Sequence, residues 1–270
     1  MKIFIFFVIC SFLWIIPLAA VEFDTSTGEE DIVFMSTDGE VNLGDSLAKS
    51  VARQFYIVKD ADMQEKVEKI GQRIAAVCDR KDIIYHFAVI DLKGADRQDD
   101  KPIINAFSIP GGYVYVFKDL YNKAANDDEL AGVIAHEVGH IVGRHGVKRM
   151  QMAFGANLLM ILGSQAQTDG HAGRAFEAIN TLMMSYGRDD ELFADKMAVK
   201  YTKKAEYNPE AVPDFLEKLW EVEKDEPLRP YISQRSHPYL AVRIAKAKEE
   251  VLGKMDFNSY INLPTDQQRN

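Results

Sequence analysis

Ala135-His136-Glu137-Val138-Gly139-His140 is the stretch from which the rest of the chain is read. In an α-helix residues i and i+4 lie one above the other, so His136 and His140 can offer two imidazole nitrogens to one metal ion. Glu137 follows about 100° round the same turn. Its carboxylate then stands beside the ion without ligating it, where it can take a proton from an attacking water. The plainer alternative is a solvated helix in which this short pattern occurs by chance.

The neighbouring residues argue for a buried helix. Asn126-Asp127-Asp128-Glu129 supplies N-cap candidates and carboxylates suited to the positive end of a helix. Leu130, Val133, Ile134, Val138, Ile141 and Val142 recur at helical spacing and predict a helix from about Asp127 to His145. Two imidazoles held against such a core need partners, and a metal ion is a good one.

A catalytic tetrahedral zinc takes a third protein ligand and keeps its fourth position for water. His145 is one residue short of the H-x-x-G-x-x-H continuation; Gly143 fits it, but Gly146 stands where the histidine should be. The stretch Gly187-Arg188-Asp189-Asp190-Glu191-Leu192-Phe193-Ala194-Asp195 offers a better candidate. Glu191 and Asp195 are again i and i+4, so one can bind metal while the other accepts a hydrogen bond from a ligand histidine. Alone, that pair would read as ordinary helix surface.

His136-Glu137-x-x-His140 followed by Glu191-x-x-x-Asp195 resembles the gluzincin metallopeptidases. More narrowly, the chain resembles the family of HtpX, BepA and the CAAX-prenyl endopeptidases. Asn105-Ala106-Phe107-Ser108-Ile109-Pro110-Gly111-Gly112 ahead of the helix, and Ser236-His237-Pro238 with Arg243 behind it, carry this narrower likeness over roughly residues 43–251. The resemblance implies one zinc ion held by His136, His140 and Glu191, with Glu137 as general base, Asp195 behind the ligands and endopeptidase activity. It also implies His237 near the open metal position, and Arg243 paired with an acidic residue that the sequence does not identify. The implied fold is α+β, mainly α, with a small, mainly antiparallel sheet packed on the active-site helix.

Composition bounds the rest. With 270 residues, 47% of them hydrophobic, the chain can build one well-cored domain. A net charge of −9 gives no electrostatic reason to expect nucleic acid. Residues 1–20, one lysine before an apolar run ending in Ala19-Ala20, read as an export signal; retention as a membrane anchor is the alternative. Cleavage leaves Cys78 as the only thiol, which rules out an intramolecular disulfide. Residues 21–42 read as a loose polar arm, 43–254 as the peptidase domain and 255–270 as a polar tail.

Within the domain an amphipathic helix is expected from about Met63 to Cys78, and strands over 83–92, 103–109 and 113–117. In peptidases of the resembled type an extended substrate pairs with an exposed edge strand, and the backbone of Asn105, Ala106 and Phe107 is the candidate here. Residues 147–166 are apolar but broken by Gly155 and Gly163, and 165–174 are polar. These segments read either as a pair of core helices or as a lid over the cleft. A further helix is expected over 210–224, and another beginning at Ser236.

Export together with the resemblance points to a periplasmic protease acting on protein or peptide substrates, among them membrane-associated envelope proteins. A zinc-binding chaperone or assembly factor on the same fold is the rival reading, against which the intact Glu137 argues.

Overall fold

The computed structural model describes residues 33, 35–93, 102–155, 172–183, 186–225 and 239–253. Among these the elements run α1 (Thr37–Gln54), β1 (Phe55–Ile57), α2 (Ala61–Val77), β2 (His86–Leu92), β3 (Ala106–Ile109), β4 (Tyr113–Phe117) and α3 (Lys118–Lys123). There follow α4 (Asp127–Val142), α5 (His145–Phe154), α6 (Ala172–Leu182), α7 (Arg188–Lys204), α8 (Ala211–Asp225) and α9 (Leu240–Leu252).

The four strands form one sheet in the order β1-β2-β4-β3. β1 with β2 and β3 with β4 pair antiparallel, whereas β2 and β4 run parallel, so the sheet is mixed. Side chains alternate across it, as the two-residue strand period requires. Val89, Val114 and Val116 point into a core shared with α2, α4, α7, α8 and α9. Ile90, Phe107, Tyr115 and Phe117 point the other way, into a core with α1, α5 and α6. The sheet is thus covered on both faces, and α4 packs on its β3–β4 side.

α4 starts where its sequence signals put it: the Asn126 side chain accepts the Glu129 N–H at 3.0 Å, and three acids occupy the first turn. It ends at Val142, three residues before the expected His145, because Arg144 takes a left-handed conformation (φ 52°) that breaks the helix and starts α5 in a new direction. The arm expected to be loose up to residue 42 is ordered earlier. α1 begins at Thr37 with Ser36 as its cap, and Val33 and Met35 are buried.

No helix among the described residues is long and apolar enough to cross a membrane. The export segment, most of the proposed lid and the helix start at Ser236 lie outside the described residues.

Candidate active site

α4 and α7 cross at close quarters, and Gly139 is the reason they can. A Cβ at this position would lie 3.0 Å from the Ala194 Cα and carbonyl oxygen and 3.2 Å from the Met197 Cβ. The glycine inside the histidine motif therefore brings the helix bearing Glu191 and Asp195 against the helix bearing His136 and His140.

At that crossing the His136 and His140 Nε2 atoms lie 3.1 Å apart. The Glu191 carboxylate spans both rings, with Oε2 3.6 Å from His136 Nε2 and Oε1 3.5 Å from His140 Nε2. All three residues are buried, and their ligand atoms lie within 4.8 Å of one another.

Each ring's other nitrogen is engaged behind this triangle. His136 Nδ1 lies 2.9 Å from Asp195 Oδ1, and His140 Nδ1 lies 2.8 Å from His145 Nδ1. With an N–H on each Nδ1, both Nε2 atoms present lone pairs towards the Glu191 carboxylate.

Arg243 of α9 grips the acids from behind. It is 2% exposed and binds Asp195 through two bonds of 2.7 and 2.8 Å, with Nη1 2.8 Å from Glu191 Oε2. These two acids are the partners that the sequence left unidentified. Burial alone would raise the Asp195 carboxyl; the Arg243 charge and hydrogen bonds, with the His136 contact, instead hold it well below the usual carboxylate range. Burial would conversely discharge Arg243, but Asp195 and then Glu191 keep it charged.

Glu137 is also buried, at 2% exposed. Tyr186, just ahead of α7, stacks on His140 with ring centroids 4.2 Å apart and planes at 20°. Burial first, and the charge of Glu137 second, push its hydroxyl well above the usual phenol range. Glu137, Glu191 and Asp195 bring three buried carboxylates to the site, where Arg243 binds the last two and Arg149 adds its charge near Glu191 and Asp190.

A model of peptidase family M48 matches residues 61–251. The chain belongs to peptidase family M48. Its matches among characterised proteins include the beta-barrel assembly-enhancing proteases of Yersinia pestis and Escherichia coli K12. The first is 26% identical over 196 residues, 68% of this chain and 38% of the relative. The second is 25% identical over 225 residues, 79% of this chain and 44% of the relative. The mitochondrial metalloendopeptidase OMA1 of Arabidopsis thaliana is 32% identical over 168 residues, 59% of this chain and 32% of the relative. The chain thus spans less than half the length of these relatives.

Within this M48 domain the remaining expected residues are placed as follows. β3 is the outermost strand on its side of the sheet. The Phe117 N–H donates to the Asn105 carbonyl at 3.0 Å, so by antiparallel alternation Asn105 and Phe107 turn their backbone groups to β4. Ala106 and Ser108 turn theirs to the outer edge. Both are buried, and α6 packs against this strand. The outward bond direction of Ser108 is not legible in the sequence, because it depends on the strand register. His237 lies outside the described residues. Tyr186 is likewise not legible in the sequence, since a lone aromatic ahead of a helix carries no motif.

Proposed function

We propose that this protein is a zinc-dependent endopeptidase that hydrolyses peptide bonds in exported, unfolded or misassembled envelope proteins. The observation that carries the reading is the convergence of two buried imidazoles and a buried carboxylate on one point. Zinc bonds of about 2.0–2.1 Å at tetrahedral angles put ligand atoms about 3.4 Å apart. The separations of 3.1, 3.5 and 3.6 Å fit that requirement.

His136, His140 and Glu191 would hold the ion, which when bound supplies Lewis-acid polarisation of water and of the scissile carbonyl. Glu137 takes the proton of the attacking water and passes it to the leaving amine. Asp195, kept ionised by Arg243, fixes the His136 ring with its N–H pointing away from the ion. An extended substrate would pair with the outer edge of β3 at Ala106 and Ser108, which are buried rather than exposed in this structure, with Asn105 and Phe107 completing that strand. His237 is assigned to the open side of the site on the family resemblance.

The envelope substrate class and a periplasmic location draw support from the export-like segment at 1–20 and from the names of the bacterial relatives.

Metal content and cleavage of unfolded casein, with and without chelator, test the reading. Purified protein should hold one zinc per chain and lose cleavage on chelation. Glu137→Gln should keep the metal and lose about 10²–10⁴-fold in rate, whereas His140→Ala should lose metal and activity together. Wild-type cleavage rates in Glu137→Gln would remove that residue from its role.

A further inference from the structure

The Nδ1 of His136 faces the Asp195 carboxylate, whereas the Nδ1 of His140 meets a third histidine. His145 is the first residue of α5, and the left-handed step at Arg144 swings it back beneath α4 until its Nδ1 lies 2.8 Å from His140 Nδ1. This contact uses the nitrogen of His140 that faces away from Glu191. On the other side of His145, Nε2 lies 3.5 Å from Asp190 Oδ1.

The ring sits in a built cradle. His145 is 3% exposed, and Phe193 meets it edge-on at 5.4 Å. A Cβ on Gly143 would lie 2.3 Å from its Nε2 and 2.8 Å from both Cδ2 and Cε1, so the glycine leaves room for this imidazole.

We propose that His145, backed by Asp190, is a positioning residue for His140, accepting the His140 Nδ1–H and so holding the Nε2 lone pair on the metal. This rests on the metal reading given above. The proton order follows from hydrogen-bond bookkeeping. A ligating His140 Nε2 leaves the ring's proton on Nδ1, so His145 Nδ1 must accept; the His145 proton then sits on Nε2, facing Asp190. The two ligand histidines are thereby oriented by different devices, one by an acid held on an arginine and the other by a neutral imidazole.

Zinc affinity by chelator competition and the visible absorption of the cobalt-substituted protein test this on wild type, His145→Leu, His145→Asn and Gly143→Ala. His145→Leu should bind zinc about 10–100-fold more weakly and alter the cobalt bands. His145→Asn, whose side-chain carbonyl accepts near the same point, should stay within about threefold of wild type. Gly143→Ala, which puts a methyl group where the ring lies, should weaken binding although His145 is present. Wild-type zinc affinity in His145→Leu, or binding by His145→Asn no tighter than by His145→Leu, would overturn the proposal and leave the metal reading intact. A wild-type protein that binds no zinc would sink both.

Discussion

The helix that carries the histidine motif has buried charge at two places, and the two are solved differently. Beyond its C-terminus, Glu40 of α1, 1% exposed, accepts from Arg80 at 2.9 and 3.0 Å and from Arg144 at 3.0 Å, while Arg80 also donates to the Ile141 carbonyl at 3.1 Å. Burial would discharge Arg80, but Glu40 overrides it and keeps the guanidinium charged. This cluster is closed: its acid is matched by bases, and it satisfies a helix-end carbonyl. Around His136 and His140 three carboxylates are buried together, and the two Nε2 atoms face one another at 3.1 Å. One arrangement ties the fold together, while the other gathers the residues that we propose hold a cation. A native fold keeps buried carboxylates of this kind where function needs them.

Substitutions in the two clusters should therefore separate stability from metal binding. The largest effect is expected from Glu191→Gln, which should abolish zinc binding and proteolysis. Because Asp195 still holds Arg243 through two hydrogen bonds, the metal-free variant should melt no lower than metal-free wild type by calorimetry. A marked fall would mean that the site is held together as a structural cluster. Glu40→Ala removes the buried carboxylate that Arg80 and Arg144 share, leaves Arg80 only the more exposed Asp82, and should cost about 3–5 kcal/mol in denaturant unfolding. The zinc affinity of its folded fraction should be unchanged, and a parallel loss would show the clusters to be one unit.

Asp195→Asn lies between these cases, because Asp195 belongs to the open cluster but is itself fully paired. Zinc affinity should fall about 10–100-fold. Its pH signature has a definite sign: the folded carboxyl is depressed, so its stabilisation is fully present above the ordinary unfolded value of about 3.9 and is lost as pH falls towards the folded one. The stability gap between metal-free wild type and Asp195→Asn should be flat from about pH 8 to pH 5 and close below about pH 4. A gap that closes near neutrality would rule out the depressed carboxyl. The smallest effect is expected from Gly139→Ala, which forces α4 and α7 apart by a few tenths of an ångström at a cost of about 1–3 kcal/mol. Zinc affinity should weaken with it, measured by the same chelator competition.

What the sequence made readable is local. The spacing of His136 and His140, the Asn126 cap and the apolar stripe of α4 each depend on residues within a few turns, and helical geometry converts them directly into position. Glu191 and Asp195 were readable as a pair for the same reason. Relations between distant segments were not. Nothing in the polar stretch around Glu40 signals burial, because its two arginines come from 40 and 104 residues away. The parallel pairing of β2 with β4 puts β4 between β2 and β3, an arrangement that strand propensities leave open. His145 fails the ligand spacing and was set aside, since an arginine in the left-handed region, which redirects the chain there, has no periodic signature.

The Arg243 contacts also bear on when a working centre can exist during synthesis. Both histidines and both acids emerge from the ribosome well before α9, yet Glu191 and Asp195 gain the buried Arg243 charge when that helix docks. A nascent or truncated polypeptide ending before α9 carries the whole ligand set without the guanidinium that lets two neighbouring carboxylates be buried side by side. The burial of both acids beside His136 and His140 is thereby coupled to the docking of a helix some fifty residues further along the chain.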